Sequence, residues 1–247
     1  MNHFFAEPSN ITSEQVFIIG SDVNHIRNVL RMRAGEQLLI SDGAGNDYMC
    51  EIASIEENEV ICDILETGGS VSEHSVRFYL FQGLPKADKF ENIIQKSVEL
   101  GVYEIIPVRT ARSIVKYDDR KAGAKQERWQ KIAESAAKQS RRGIVPKVKE
   151  IMSLQEAFDY ASKEEISLKL IPYENFKDIV TTKEILGKIT PGMSVAVFIG
   201  PEGGFEEKEV LQANEAGAHS ISLGKRILRT ETAPLMLLSV LTFAMEE

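Results

Sequence analysis

The chain has 247 residues, 43% of them hydrophobic and 27% charged, a composition typical of a globular protein with one large domain or two small ones. It contains no run of 18 or more apolar residues, and it does not open on a basic segment followed by an apolar one. We therefore expect no membrane span and no signal peptide, and a cytoplasmic location. The two cysteines, Cys50 and Cys62, lie in strand-like runs and are expected to be buried thiols.

The charge is unevenly distributed along the chain. The net charge is −8, yet residues 109–149 carry 13 basic and 4 acidic side chains. Residues 1–71 carry 12 acidic side chains, and their only bases are Arg27, Arg31 and Arg33. Either cluster alone is typical of a solvated surface. Both together, in a chain this acidic, make a nucleic-acid partner an equally good interpretation.

Residues 1–71 are predicted to form a small β-rich unit. Short β-branched or aromatic runs predict strands at residues 37–41, 48–55 and 59–65, separated by turn signals at 42–46 and 56–58. Apolar residues at helical spacing predict a helix over residues 22–32, on which Arg27 and Arg31 would share one face. The Gly-Gly-Ser segment at 68–70 marks the expected domain boundary.

Strand-like and helix-like runs alternate from residue 75 onward. The predicted strands are residues 76–82, 103–108, 168–171, 194–200 and 220–223. The predicted helices are residues 88–100, 125–141, 176–186, 206–216 and 232–245. This alternation predicts an α/β domain with a largely parallel sheet, and the continuous apolar runs predict strands that are covered on both faces.

Two loops at the expected carboxyl ends of strands carry unusual residues. Residues 199–205 read IGPEGGF, with more glycine than a strand-to-helix turn needs, and they match neither the phosphate-loop nor the dinucleotide fingerprint. Residues 223–233 read LGKRILRTETA and lead into the last helix. Helix capping explains Thr230, Glu231 and Thr232, but a cation at Arg229 is unfavourable at a helix N-terminus. Arg229 therefore indicates a partner that carries or develops negative charge.

Together these two loops resemble the signature of the RsmE family, bacterial ribosomal-RNA (uracil-N3)-methyltransferases of the SPOUT superfamily. Residues 25–31, 95–102 and 139–146 are similar to three further family segments. The similarities follow the family's order from about residue 25 to residue 233 and so cover nearly the whole chain. The chain departs from the family pattern at Lys138, where we expect an acidic residue, and at His3, near a position that is often basic.

The resemblance implies an α/β fold, with a trefoil-knotted SPOUT methyltransferase domain over residues 72–247 behind a PUA-like RNA-binding β-barrel domain over residues 1–71. It implies S-adenosyl-L-methionine as the methyl donor, no metal, and methylation of N3 of a specific uridine in 16S rRNA. The implied partners are 16S rRNA or the small ribosomal subunit and a second copy in a homodimer, with no membrane.

The loops, the charge distribution and the resemblance together give the expected site residues. The cofactor pocket is expected from Leu170, Ile171, Pro172, Ile199, Gly200, Pro201, Glu202, Gly203, Gly204, Leu223, Gly224, Ile227, Leu228, Thr230 and Thr232. Arg229 is expected to stabilise the uracil anion and Glu231 is a candidate proton acceptor, although helix capping explains Glu231 almost as well. RNA contacts are expected from Arg27, Arg31, Arg33, Arg141 and Arg142.

Two other functions have to be weighed. A ribose 2′-O-methyltransferase of the same superfamily would need an Asn-x-Gly-x-x-x-Arg segment and a Ser-Leu-Asn turn, and the chain has neither. An RNA-binding module without a cofactor is the non-enzymatic alternative, and the intact glycine loops weigh against it. Titration with S-adenosylmethionine would separate this module from the enzymes.

Overall fold

The computed structural model describes residues 1–115 and 119–245. By their contacts these residues form two compact units, one of residues 1–73 with 137–145 and one of the described residues in 74–136 and 146–245. The predicted boundary after residue 71 stays a prediction. No described helix is long and apolar enough to cross a membrane.

The described strands of the first unit form one five-stranded sheet. These are β1 (Asn2–Phe5), β2 (Gln15–Ile19), β3 (Gln37–Ser41), β4 (Asn46–Ile55) and β5 (Glu59–Gly69). Their order is β1-β3-β4-β5-β2, with β1 parallel to β3 and the other pairs antiparallel. The three predicted strands are confirmed, whereas β1 and β2 were not predicted.

Cys50 and Cys62 lie on the buried face of β4 and β5, as predicted. Both are free thiols with no exposed surface, and burial raises the pKa of each to about 12. Thiols with so high a pKa are protonated at neutral pH and are therefore unreactive.

The helical segment of the first unit differs from the prediction. Instead of one α-helix over residues 22–32, a single α-turn, α1 (Ser21–Asn24), passes into a π-helix over His25–Leu30. The segment ends at Arg31, whose φ of 54° is left-handed. The prediction of one continuous α-helix over residues 22–32 is therefore wrong, whereas a shared face for Arg27 and Arg31 stays a prediction.

The second unit is an α/β fold around a parallel sheet, as predicted. Its described strands are β6 (Arg77–Gly83), β7 (Val102–Arg109), β8 (Lys147–Val148), β9 (Met152–Ser153), β10 (Leu168–Pro172), β11 (Ser194–Ile199) and β12 (Ala218–Ile221). The strand order is β12-β10-β11-β6-β7-β8, with β9 also paired to β7 and every pair parallel.

Helices connect these strands. They are α2 (Lys89–Glu99), α3 (Asp119–Ser140), α4 (Leu154–Lys163), α5 (Ile179–Leu186), α6 (Glu207–Glu215) and α7 (Ala233–Met245). Each predicted helix is present, although α3 begins six residues earlier than expected, and α4 was not predicted. The last predicted strand lies two residues earlier, at β12.

Aromatic stacking across the sheet fills the core of the second unit. Phe81 of β6 and Phe198 of β11 stack with ring centroids 4.3 Å apart, and Phe158 of α4 packs against Phe198. All three are nearly inaccessible to solvent. Because neighbouring parallel strands end at the same edge of a sheet, the loops after β6, β10, β11 and β12 lie side by side.

Candidate functional site

The first loop, residues 200–205, follows β11 and approaches itself too closely for side chains. A Cβ on Gly200 would lie 3.0 Å from the Gly204 carbonyl carbon, and Gly204 has a φ of +67° with open space around it. Both positions therefore require glycine, which leaves main-chain atoms exposed for a ligand to approach.

A segment that the sequence reasoning missed holds this loop in place. The guanidinium of Arg112, just beyond β7, donates to the Gly203 carbonyl at 2.6 Å. Buried Glu209 of α6 accepts from the backbone N–H of Ala111 at 2.8 Å and from that of Glu206 at 2.8 Å. A carboxylate three residues into a helix signals a capping box, but its bond to Ala111 has no local sequence signal.

The second loop, residues 222–232, is joined to the first by hydrogen bonds. The Thr230 hydroxyl donates to the Gly200 carbonyl at 2.7 Å. Thr230 in turn accepts from the side-chain amide of Gln82, at the end of β6, at 3.0 Å. The structure thus brings two predicted site residues, Thr230 and Gly200, into direct contact, and Gln82, which was not predicted, supports Thr230.

Charged side chains cluster over the two loops. Lys89 of α2 lies between both carboxylates, with Nζ 3.0 Å from Glu202 and 3.4 Å from Glu231. Arg229 lies 3.9 Å from the other oxygen of Glu231, and its side chain is 82% exposed. Sequence reasoning predicted the two carboxylates and Arg229 but missed Lys89, which lies far away in sequence.

Glu202 stays ionised within this cluster. Burial opposes its charge, but hydrogen bonds from its own backbone N–H, from Lys89 and from the backbone of Lys86 hold its pKa below the ordinary value. The hydrogen bond to Glu202 raises the pKa of Lys89. Lys89 is therefore a fixed positive charge that links both loops.

The other predicted pocket residues lie at the same sheet edge in different environments. Leu170 and Ile171 are fully buried in the core, so only their main chain is available to a ligand. Leu223 and Leu228 are half-buried. Ile227 is 85% exposed, an unusual position for a large apolar side chain.

The predicted RNA-binding arginines divide into two groups. Arg27, Arg31, Arg33 and Arg141 are exposed. Arg142 is buried, and its guanidinium donates twice to the Glu73 carboxylate, which also accepts from two backbone N–H groups. Such an environment is typical of a structural ion pair and not of a side chain that contacts phosphate.

The two departures from the family pattern have partners inside the first unit. Lys138 forms an ion pair with Asp22 at 2.8 Å. His3 lies 2.7 Å from the Ser41 hydroxyl, and burial lowers its pKa. The described residues contain no group of three or more side chains suited to a metal ion.

Comparisons with known proteins show the class of protein to which the chain belongs. A family model described as RNA methyltransferase domain matches residues 72–242, and one described as RNA methyltransferase PUA domain matches residues 18–65. A Ribosomal RNA small subunit methyltransferase E from Bacillus subtilis (strain 168) is 38% identical, with 100% of this chain and 98% of that protein covered. One from Mesomycoplasma hyopneumoniae is 31% identical over 97% of this chain and 98% of that protein.

A solved structure of a similar protein aligns with nearly the whole of this chain. The Ribosomal RNA small subunit methyltransferase E from Neisseria gonorrhoeae, bound to S-adenosyl methionine, is 36% identical with a TM-score of 0.82, covering 99% of this chain and 98% of that one. The chain is thus an RNA methyltransferase with a PUA-like first unit. Within that class, the chain belongs to the ribosomal RNA small subunit methyltransferase E family.

Proposed function

We propose that this protein transfers a methyl group from S-adenosylmethionine to N3 of a specific uridine in 16S rRNA. The observation that carries the proposal is the joining of the two loops by Thr230 and Gly200, with the exposed cation Arg229 beside them. The relative from Neisseria gonorrhoeae with bound S-adenosyl methionine supports the cofactor.

The residues at the sheet edge suit this cofactor. No atom lies within 4 Å of the place where a Cβ on Gly204 would be, so the main chain there is open to a ligand. Ile227 offers exposed apolar surface on the second loop, which suits a nucleoside ring. We assign the pocket to the main chain of residues 170–172, 199–204, 223–224 and 227–232.

The chemistry explains why a cation is needed there. S-adenosylmethionine supplies an electrophilic methyl group when bound. Uridine N3 lies on the Watson–Crick edge, so the base has to be unpaired or flipped out before it can react. N3 also carries a proton and becomes a good nucleophile only when that proton leaves.

Arg229 and Glu231 divide this task in the proposal. Arg229 is exposed to an incoming base and stabilises the negative charge that develops on the uracil ring. Glu231 holds Arg229 by its ion pair and is the proposed proton acceptor. Lys89 keeps Glu231 close to the first loop.

We assign RNA recognition mainly to the first unit. In the proposal, residues 1–71 form an RNA-binding domain and residues 72–247 form the methyltransferase domain. Arg27, Arg31 and Arg33 are exposed in an acidic segment, and a surface depression beside Arg27 is also lined by Asn24, Asn28, Asn58 and the acidic Glu57. Arg141 supplies a further contact, whereas Arg142 supports it by holding Glu73.

The proposal includes the trefoil knot of the superfamily, a homodimer and a cytoplasmic location. Exposed apolar residues on α7 support the dimer: Met236, Val240 and Phe243 lie three or four residues apart on one side of that helix. A non-enzymatic RNA-binding module would need neither the open glycine loop nor the cation above it.

The decisive test maps modified bases in rRNA from cells with and without the gene. We expect loss of one N3-methyluridine from 16S rRNA and its return when purified protein and S-adenosylmethionine are added to the rRNA or small subunit. Loss of a 2′-O-methyl nucleoside would instead establish the ribose methyltransferase. Absence of S-adenosylmethionine binding in calorimetry would overturn both.

A further inference from the structure

A buried amide lies where the two loops meet. Gln82 is the last but one residue of β6 and has no exposed surface. Its neighbours across the sheet are Ile199 of β11 and Pro107 of β7. A polar side chain at this depth needs partners, because burial of an unpaired amide is unfavourable.

The hydrogen bonds of Gln82 form a short relay. Its Nε2 donates to the Gly83 carbonyl at 3.0 Å and to the Thr230 hydroxyl at 3.0 Å. The Thr230 hydroxyl then donates to the Gly200 carbonyl at 2.7 Å. Since the Gly83 carbonyl can only accept, the amide nitrogen must face it, which fixes the direction of the whole relay.

The other end of the amide is unsatisfied. Gln82 Oε1 is buried and has no hydrogen-bond partner among the described residues. A side chain selected for stability alone would not leave a buried acceptor unpaired, since an apolar side chain of the same shape avoids that cost. The hydrogen bond from the Gln82 amide nitrogen to Thr230 therefore explains this residue better than a contribution to folding stability does.

We propose that Gln82 is a positioning residue that sets the register of the two cofactor loops through Thr230. With the relay intact, Gly200 of the first loop and Arg229 of the second stay at a fixed separation. This inference rests on the proposed function, because it needs S-adenosylmethionine to bind between these loops. Gln82 itself touches neither substrate in the proposal.

The test replaces the amide by an apolar side chain of similar length, Gln82→Met. We expect S-adenosylmethionine to bind roughly tenfold more weakly in calorimetry, the loss of about one loop-fixing hydrogen bond. The melting temperature of the unliganded protein should shift by less than about 3 °C, because an unpaired acceptor is removed with the donor.

Gln130→Met is the matched control. The side-chain amide of Gln130 also bonds to backbone groups: it accepts from the Val148 N–H at 2.8 Å and donates to the Pro146 carbonyl at 3.2 Å. Gln130 lies on α3 and contacts neither cofactor loop through these bonds. Both ends of this amide are satisfied. Its replacement should therefore lower the melting temperature by several degrees and leave the S-adenosylmethionine affinity unchanged.

A second variant keeps the inference falsifiable if Gln82→Met fails to fold. Thr230→Val removes the middle of the relay and should weaken S-adenosylmethionine binding by a similar factor. The double variant should bind no more weakly than either single one, because both break one relay. Additive losses would overturn the inference, as would wild-type affinity in Gln82→Met. Failure of the wild-type protein to bind S-adenosylmethionine would instead overturn the proposed function.

Discussion

At the scale of single residues, the site depends on side chains from distant parts of the sequence that contact the two loops. Lys89 contacts carboxylates of both loops, and Arg112 holds the carbonyl of Gly203. Arg229 differs from them, since its side chain is mostly exposed and its ion pair with Glu231 is long, at 3.9 Å. It is thus able to meet a substrate without first giving up a strong partner.

Arg229→Ala should slow methyl transfer on the order of a hundredfold, because a cation that stabilises charge in the transition state is lost. The affinity for S-adenosylmethionine and for RNA should be nearly unchanged. Single-turnover rates measure the effect, with Arg226→Ala as control, an exposed arginine of the same loop. Full speed in Arg229→Ala would show that the uracil anion is stabilised elsewhere.

Gly203→Val should abolish S-adenosylmethionine binding while the protein still folds. A Cβ at this position would lie 3.1 Å from the Arg112 Cβ, so the larger side chain forces Arg112 away and fills the face of the loop. Gly123→Val is the control, since no atom lies within 4 Å of its Cβ position. Normal affinity in Gly203→Val, measured by calorimetry, would show that the pocket is misplaced.

At the scale of elements, the π-helical segment of the first unit carries two of the three basic side chains of residues 1–71. A π-helix widens the turn, and such segments often occur at functional sites. The left-handed residue at Arg31 then turns the chain sharply. Arg27 lies within this π-helical segment and Arg31 ends it, and both side chains are exposed.

Arg31→Ala should weaken RNA binding and lower the slope of log affinity against log salt by about one unit, as expected for one lost phosphate contact. Binding and melting measurements on the same samples test this prediction. If Arg31→Ala binds RNA like the wild type at every salt concentration, this face of the first unit does not dock RNA.

Arg142→Ala should behave in the opposite way. Removing a buried guanidinium leaves the Glu73 carboxylate without its charge partner, which costs about 3 kcal/mol of folding stability. The salt slope for RNA binding should stay at the wild-type value. A reduced slope with unchanged melting would restore Arg142 to the RNA contacts.

At the scale of the whole molecule, one end of the chain carries apolar surface that its own fold leaves exposed. Leu237, Leu238 and Leu241 of α7 are buried, whereas Phe243 is 82% exposed. A helix that is apolar on its outer face is typical of an interface. The proposed homodimer would cover this face.

The protein should have the mass of a dimer in light scattering at micromolar concentration, and Phe243→Asp should convert it to a monomer, because a charge is unfavourable in an apolar interface. Leu211→Asp is the control, since Leu211 of α6 is also exposed but lies outside the proposed interface. A monomeric wild-type protein would exclude the dimer at this concentration.

Local patterns in the sequence determined much of this protein. Alternating runs predicted the α/β unit, and the spacing of β-branched residues predicted three strands of the first unit. The glycine loop and the Arg-Thr-Glu-Thr segment identified the family. These features depend on neighbours within one turn or one strand, so periodicity and turn chemistry are sufficient to detect them.

Only the tertiary structure decided which distant residues meet. Gln82 and Thr230 are 148 positions apart in sequence, yet they share a hydrogen bond because β6 lies beside β11 and the loop after β12 reaches Gly200 at the end of β11. Arg142 looks like a surface base in sequence, but the fold buries it against Glu73. Strand order and burial result from packing over the whole chain, and no local pattern of residue types encodes them.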